Sequence, residues 1–330
     1  MTGRMCPRNS RKRSVGIAMT ALVCAGLAAL ASIAPAQAQM PPDIIPQIEA
    51  LGRVVDPPNT AKIYAPLQEQ EPYAGIKVRR DVSYGEHVRN VVDIFAAENG
   101  AASRPVLMFV HGGGFVRGSK HEPGSAFYDN VMVFAARNGM VGVNVEYRLA
   151  PEFAWPSGLQ DLAGAVGFVR DNIASYGGDP NRVFLMGHSA GASHVAGYVS
   201  HPEFFSPKGS GLAGAIFSSG SYDLKTEEPG DSQVAYYGTD ASRYQERAPL
   251  PGLVKSSIPF MMSSAELDPP AIAAQFATLK DAMCKSARGC VRSIVLPHHS
   301  HMSESSGRIE ARIGLRMMPP FPRSPLTFAE

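Results

Sequence analysis

Six short, mostly apolar runs, with helix-like stretches between most of them, constrain this chain more than any other feature. They are Pro105–Val110, Val141–Val145, Val183–Met186, Ala213–Phe217, Pro259–Met262 and Val291–Leu296. Runs of this length are too short for helices and read as strands buried on both faces. Between them, Phe127–Arg137, Gly158–Ile173, Ala190–Tyr198 and Ala271–Met283 read as helices. Strands alternating with helices mean βαβ units, so the expected class is α/β with a mostly parallel sheet. Ile76–Tyr84 and Asn90–Ala96 read as a preceding hairpin, which brings the expected sheet to eight strands flanked by helices. A Pro-rich stretch, Pro41–Pro66, with short helical character leads into it. Residues 221–250 carry no sheet signal but are polar and hold Tyr222, Tyr236, Tyr237 and Tyr244. That segment reads as a small insertion over one end of the sheet. A length of 330 residues fits this single large domain without repeats.

The first 38 residues read as an address rather than as structure. Arg4, Arg8, Arg11, Lys12 and Arg13 precede an apolar stretch, Ile17–Ala34, which ends at Pro35 and the small-x-small site Ala36-Gln37-Ala38. This is the pattern of a cleaved export signal, so the mature chain is expected to be 39–330, periplasmic or secreted, with no stable membrane insertion. A retained anchor is the rival, since the apolar stretch is at the lower limit for spanning a bilayer. The formal charge of +2 comes from this segment. Without its five basic residues, 26 basic residues face 29 acidic ones, which argues against a nucleic-acid partner held by a basic patch. Of four cysteines only Cys284 and Cys290 lie beyond the leader. In an exported chain they are a candidate disulfide; two buried thiols are the alternative.

The chemistry sits at strand ends. Val183–Met186 runs into Gly187-His188-Ser189-Ala190-Gly191, and a helix follows. This G-x-S-x-G sequence between strand and helix is the context in which a serine hydroxyl is lifted from a sheet edge as a nucleophile. His111-Gly112-Gly113-Gly114-Phe115 directly follows the run Pro105–Val110. Consecutive glycines leave backbone N–H groups uncovered, and with the N–H of Ala190 they suit the negative oxygen of a tetrahedral intermediate. By chance the first pattern arises roughly 0.3 times per chain of this kind and His-Gly-Gly-Gly about 0.01 times, so the glycine loop is the stronger signal. His111 reads as a brace for that loop.

Such a serine needs an acid and a base, in the order Ser, Asp/Glu, His. Asp268 follows the run Pro259–Met262, with Glu266 as its rival. After the last run come His298, His299 and His301. A metal-binding histidine cluster is the alternative reading of that stretch. On an extended backbone His299 and His301 share one face and His298 points away.

These residues resemble the α/β-hydrolase superfamily, specifically carboxylesterases of the hormone-sensitive-lipase-like and feruloyl-esterase or formamidase-like branches. The matching residues are His111–Phe115, Tyr147–Glu152, Pro156 with Asp161, Gly177–Arg182, Gly187–Gly191 and Glu266–Pro269. The resemblance implies Ser189 as nucleophile, Asp268 as acid and His301 as base, with Gly113, Gly114 and Ala190 as the oxyanion hole. It also implies supporting roles for Tyr147–Pro151 and Asp161, and neither a metal nor an organic cofactor. His299 is then expected to be a neighbour whose charge depresses the pKa of His301. His188 and Tyr236–Asp240 lean toward the formamidase and feruloyl-esterase side. The chain departs from the family after Glu304, where Pro319, Pro320, Pro322 and Pro325 forbid a continuous final helix. A frameshift and a divergent native tail are the two explanations.

The expected function is an exported serine hydrolase cleaving small carboxylic esters through an acyl-enzyme. The alternatives are an arylformamidase using the same machinery on N-formyl amides, and a hydrolase-fold binding protein without turnover.

Overall fold

A computed structural model describes residues 40–224 and 229–306; the expected leader and the tail from 307 onward lie outside the described residues. The six apolar runs and the hairpin form one eight-stranded sheet. In chain order its strands are β1 (Ile76–Ser83), β2 (Val91–Ala97), β3 (Arg104–Val110), β4 (Val141–Val145), β5 (Gly178–His188), β6 (Gly214–Ser218), β7 (Phe260–Leu267) and β8 (Ser293–Ser300). Their spatial order is β1-β2-β4-β3-β5-β6-β7-β8. Only β2 breaks the parallel arrangement, pairing antiparallel with both β1 and β4.

Two strands are longer at the site than the apolar pattern predicts. β7 continues through Ser263-Ser264-Ala265-Glu266, and β8 runs on through His298 and His299 to Ser300. The two extensions pair with each other, Leu267 opposite Ser300. The serines are buried and hydrogen-bonded, so burial no longer demands apolar residues there.

Besides five short 3-10 turns, the described residues form nine α-helices: α1 (Ile45–Leu51), α2 (Pro57–Tyr64), α3 (Asp129–Arg137), α4 (Ser157–Asn172), α5 (Ala190–Ser200), α6 (Asp231–Tyr237), the single turns α7 (Tyr244–Arg247) and α8 (Leu250–Leu253), and α9 (Pro270–Lys285). α2 starts where Asp56 accepts a hydrogen bond from the N–H of Asn59 at 3.1 Å and Pro57 occupies the first turn. The alternation of strand side chains divides the core. Val106, Met108 and Val110 of β3 pack with Leu162 and Val166 of α4, Val195 of α5 and Leu279 of α9. Leu107 and Phe109 point the other way, onto Val131, Met132 and Ala135 of α3. Among the described residues, no helix is long and apolar enough to cross a membrane.

The insertion forms short helices, and its Tyr236, Tyr237 and Tyr244 cluster with Phe115 of the glycine loop and Ala190 of α5. Cys284 and Cys290 are joined in a disulfide that ties the end of α9 to the segment entering β8. Closing so short a loop restricts the unfolded chain by about 2 kcal/mol on the chain-entropy model. Denaturant melts should therefore show a loss of that order on reduction or in Cys284→Ser/Cys290→Ser, and an unchanged midpoint refutes the stabilising role.

Candidate active site

The strand order reverses beside β3: the chain passes from β3 to β4 on one side and then crosses to β5 on the other. In open α/β sheets this switch point, at the carboxyl ends of the strands, is where ligands bind. The register aligns those ends. Val110 lies opposite Gly187, His188 opposite Ser218, and Ser218 opposite Ser263. The residues that follow each strand therefore meet along one edge.

Ser189 sits in the turn between β5 and α5 with φ 56° and ψ −124°, a left-handed conformation that costs a non-glycine residue strain. Its N–H bonds to the Ser218 carbonyl at 2.9 Å, and its own carbonyl accepts from the N–H of Ser193 at 3.1 Å to start the helix. The turn requires α5 to press against two strands. A Cβ on Gly191 would stand 2.1 Å from the Val110 carbonyl oxygen, and one on Gly187 would stand 2.3 Å from the Gly191 carbonyl oxygen. Glycine at both positions is a requirement of that contact.

The extensions of β7 and β8 bring the other two expected residues to Ser189. His301 Nε2 lies 2.9 Å from Ser189 Oγ, and His301 Nδ1 lies 2.8 Å from Asp268 Oδ1. An ionised carboxylate only accepts, so Nδ1 carries the proton and Nε2 is left to accept from the serine hydroxyl. Burial alone would raise the Asp268 pKa, but hydrogen bonds from His301, Ser264 and Ser219 outweigh it and hold the carboxyl below its ordinary range. Its Oδ2 accepts from Ser219 Oγ at 2.7 Å, Ser264 Oγ at 2.6 Å and the N–H of Ala265 at 2.9 Å.

The glycine loop stands on the other side of Ser189. Gly113 has φ 125°, and a Cβ there would lie 1.9 Å from the Arg117 carbonyl oxygen. Among the described residues, no acceptor within the chain takes the N–H of Gly113, Gly114 or Ala190, which leaves three donors for an incoming oxygen. The loop is braced from beneath. His111, stacked on Tyr147 with ring centroids 4.3 Å apart, contacts the Gly112 carbonyl at 2.7 Å and Glu146 at 3.0 Å. The Tyr147 hydroxyl donates to the His111 carbonyl at 2.9 Å. Burial opposes the charge on Glu146, yet His111 and Arg89 beside it bring its pKa down to about 2. Arg148 is held to Asp161 at 2.8 Å.

The remaining candidates lie elsewhere. Glu266 is exposed and accepts from the backbone N–H of His298 at 2.7 Å, away from Ser189. His298 is half exposed and pairs with Glu49 of α1 at 2.8 Å. His299 is buried like His301 but turns to Ser303, with Nδ1 3.1 Å from its carbonyl. The three histidines thus face three different partners. One expectation fails: His299 brings no charge near His301, because burial lowers its pKa to about 4 and keeps it neutral. The ring that does stand on His301, centroids 4.8 Å apart, belongs to His188. Its Nε2–H donates to the His301 carbonyl at 2.8 Å, and burial followed by the proximity of His301 lowers its pKa to about 3.

Sequence reasoning missed His188 as a clamp, Arg53, which donates to the Asp268 carbonyl at 3.0 Å, and the serines that serve Asp268. The serine pairs 218–219 and 263–264, each at the end of an apolar run, were the available signal.

The chain is similar to known proteins in part of its sequence and in its fold. Residues 92–206 match the BD-FAE family model. The chain is 39% identical over 109 residues to phenmedipham hydrolase of Pseudarthrobacter oxydans, which covers 30% of this chain and 21% of that protein. Among solved structures it resembles a bacterial heroin esterase (TM-score 0.62, 24% identity, 82% of this chain and 95% of that one). It also resembles esterase B of Lactobacillus rhamnosis (TM-score 0.65, 15% identity, 84% and 94%). The fold is thus that of the α/β-hydrolases. Over part of its length the chain is also similar in sequence to ester-hydrolysing enzymes, para-nitrobenzyl esterase of Bacillus subtilis among them (32% identical over 157 residues, 44% of this chain and 30% of that protein). It spans between 21% and 59% of the length of the curated relatives it matches.

The buried neutral histidines have a measurable consequence. His194, on α5 among the rings of Phe115, Tyr147 and Tyr236, is lowered by burial to about 3, as is His188, and His299 to about 4. Unfolded histidines take up protons below about pH 6.5 while these do not, so stability present above that pH is lost on acidification. Each contributes about 1.4 kcal/mol per pH unit across its window. Urea melts at pH 4.5 and 6.5 should differ strongly, and less so in His194→Leu; an equal difference in the variant refutes the assignment.

Proposed function

We propose that this chain is an exported serine esterase that cleaves small carboxylic esters through an acyl-enzyme on Ser189. The observation that carries the reading is the 2.9 Å contact between Ser189 Oγ and an imidazole whose other nitrogen is held by a buried carboxylate. In the proposed reaction His301 takes the Ser189 proton as the hydroxyl attacks the ester carbonyl. The carbonyl oxygen becomes negative and is received by the N–H groups of Gly113, Gly114 and Ala190. Ionised Asp268 keeps the imidazole in the required tautomer and stabilises the imidazolium. His301 then returns its proton to the leaving alcohol. Water, deprotonated by the same imidazole, releases the acid and restores Ser189.

The named relatives support the ester as substrate: heroin esterase and esterase B share the fold, and esterase LipQ of Mycobacterium tuberculosis is 26% identical over 254 residues. Phe115 of the glycine loop stacks on Tyr236 at 4.8 Å with Tyr237 edge-on, so the insertion packs directly against that loop. Export rests on the basic, apolar and small-x-small pattern of residues 1–38 and on the Cys284–Cys290 disulfide.

Ser189→Ala should lower kcat on short p-nitrophenyl esters by about 10⁴–10⁶-fold with the fold retained, and abolish labelling by a fluorophosphonate. His301→Ala should match it, with His298→Ala and His299→Ala far milder. Activity of Ser189→Ala above about a tenth of wild type sinks the proposal, and preferential turnover of N-formylkynurenine in a substrate panel replaces the ester by a formamide.

A further inference from the structure

Glu304 lies three residues beyond His301, wholly buried, and no step above uses it. Its Oε2 is in hydrogen-bond contact with Ser219 Oγ and its Oε1 with Ser263 Oγ. Ser219 Oγ is also 2.7 Å from Asp268 Oδ2. One hydroxyl therefore bridges two carboxyl groups, and a hydroxyl has a single proton to donate. Asp268, which receives His301 on Oδ1 and Ser264 and Ala265 on Oδ2, is the ionised partner and takes the Ser219 proton. The contact between Ser219 and Glu304 then needs a proton from Glu304.

We propose that Glu304 is a neutral carboxylic acid at pH 7 and a positioning residue of the triad: it donates to Ser219, so that Ser219 can donate to Asp268 and hold it in line with His301. The effect on rate rests on the esterase reading above; the protonation does not. The surroundings agree. Burial first, and then the charge of Asp268, push the Glu304 pKa up to about 8, against the pull of Ser219 and Ser263. The titratable groups around it are Asp268 beyond β7, Tyr222 beyond β6, and His301 with His188 behind its ring. Tyr64 and His299 face the adjacent Ser303. Among the described residues, no Lys or Arg side chain reaches the Glu304 carboxyl; Arg53 is spent on the Asp268 carbonyl instead.

Ionisation of Glu304 would leave two anions competing for one hydroxyl, so Asp268 would lose a donor or be displaced. A misaligned Asp268 orients His301 less well, so kcat/KM falls as Glu304 loses its proton.

The test is the pH profile of kcat/KM on a neutral p-nitrophenyl ester for wild type, Glu304→Gln and Glu304→Ala, with infrared difference spectra of wild type against the Gln variant. The wild-type profile should fall several-fold in a one-proton step near pH 8. The Gln variant, whose amide donates to Ser219 but does not ionise, should lack that step. It should also recover much of the activity lost in Glu304→Ala at pH 7. The spectra should show the carbonyl stretch of a neutral acid at pH 7 that is gone by pH 10. A step that persists in the Gln variant, a wild-type profile without one, or no acid band at pH 7 overturns the proposal. If the wild type neither hydrolyses esters nor reacts with a fluorophosphonate, the esterase reading fails instead, and the infrared band by itself decides the state of Glu304.

Discussion

The close approach of α5 to the ends of β3 and β5 is the contact on which the rest of the site depends. A parallel sheet delivers its strand ends to one edge, but it does not by itself lift a side chain clear of that edge. The lift comes from a turn that forces Ser189 into a left-handed conformation, and that turn exists only because Gly191 lets the helix settle against the Val110 carbonyl. The same contact places the N–H of Ala190 beside the glycine loop that leaves β3. Serine, helix start and glycine loop are thus one packing arrangement seen from three sides.

Around this contact the protein sorts its buried ionisable groups by the company they keep. Asp268 and Glu304 share Ser219, yet four donors hold Asp268 ionised while, among the described residues, no cation reaches Glu304. The histidines divide in the same way: His188, His194 and His299 are kept neutral by burial, and His301 alone is placed between a carboxylate and a hydroxyl. A buried group titrates according to its hydrogen-bond partners, so position in the fold sets chemistry that residue type does not.

How far the site could be read in advance follows from how local each signal is. The glycine loop and the turn around Ser189 are contiguous stretches whose backbone demands show directly in residue type, and both stand at strand ends as expected. For the acid, position after the run Pro259–Met262 favours Asp268 but leaves Glu266 as a rival, and only family resemblance prefers His301 to His299. The structure separates them by burial and direction. β7 ends so that Glu266 faces solvent and Asp268 faces inward, and His299 turns to Ser303 while His301 turns to Ser189.

The sequence by itself determined the class of fold, because an apolar run too short for a helix has few places to go except the middle of a sheet. It also determined the loop and turn that need glycine, because those constraints act within five residues. Only the tertiary structure decided which carboxylate meets which donors, which histidine faces Ser189 and what surrounds them. Those outcomes depend on contacts such as Ser219 with Glu304, 85 residues apart, and His301 with Ser189, 112 residues apart. Dielectric surroundings and hydrogen-bond partners are properties of the packed chain, and no local pattern encodes them.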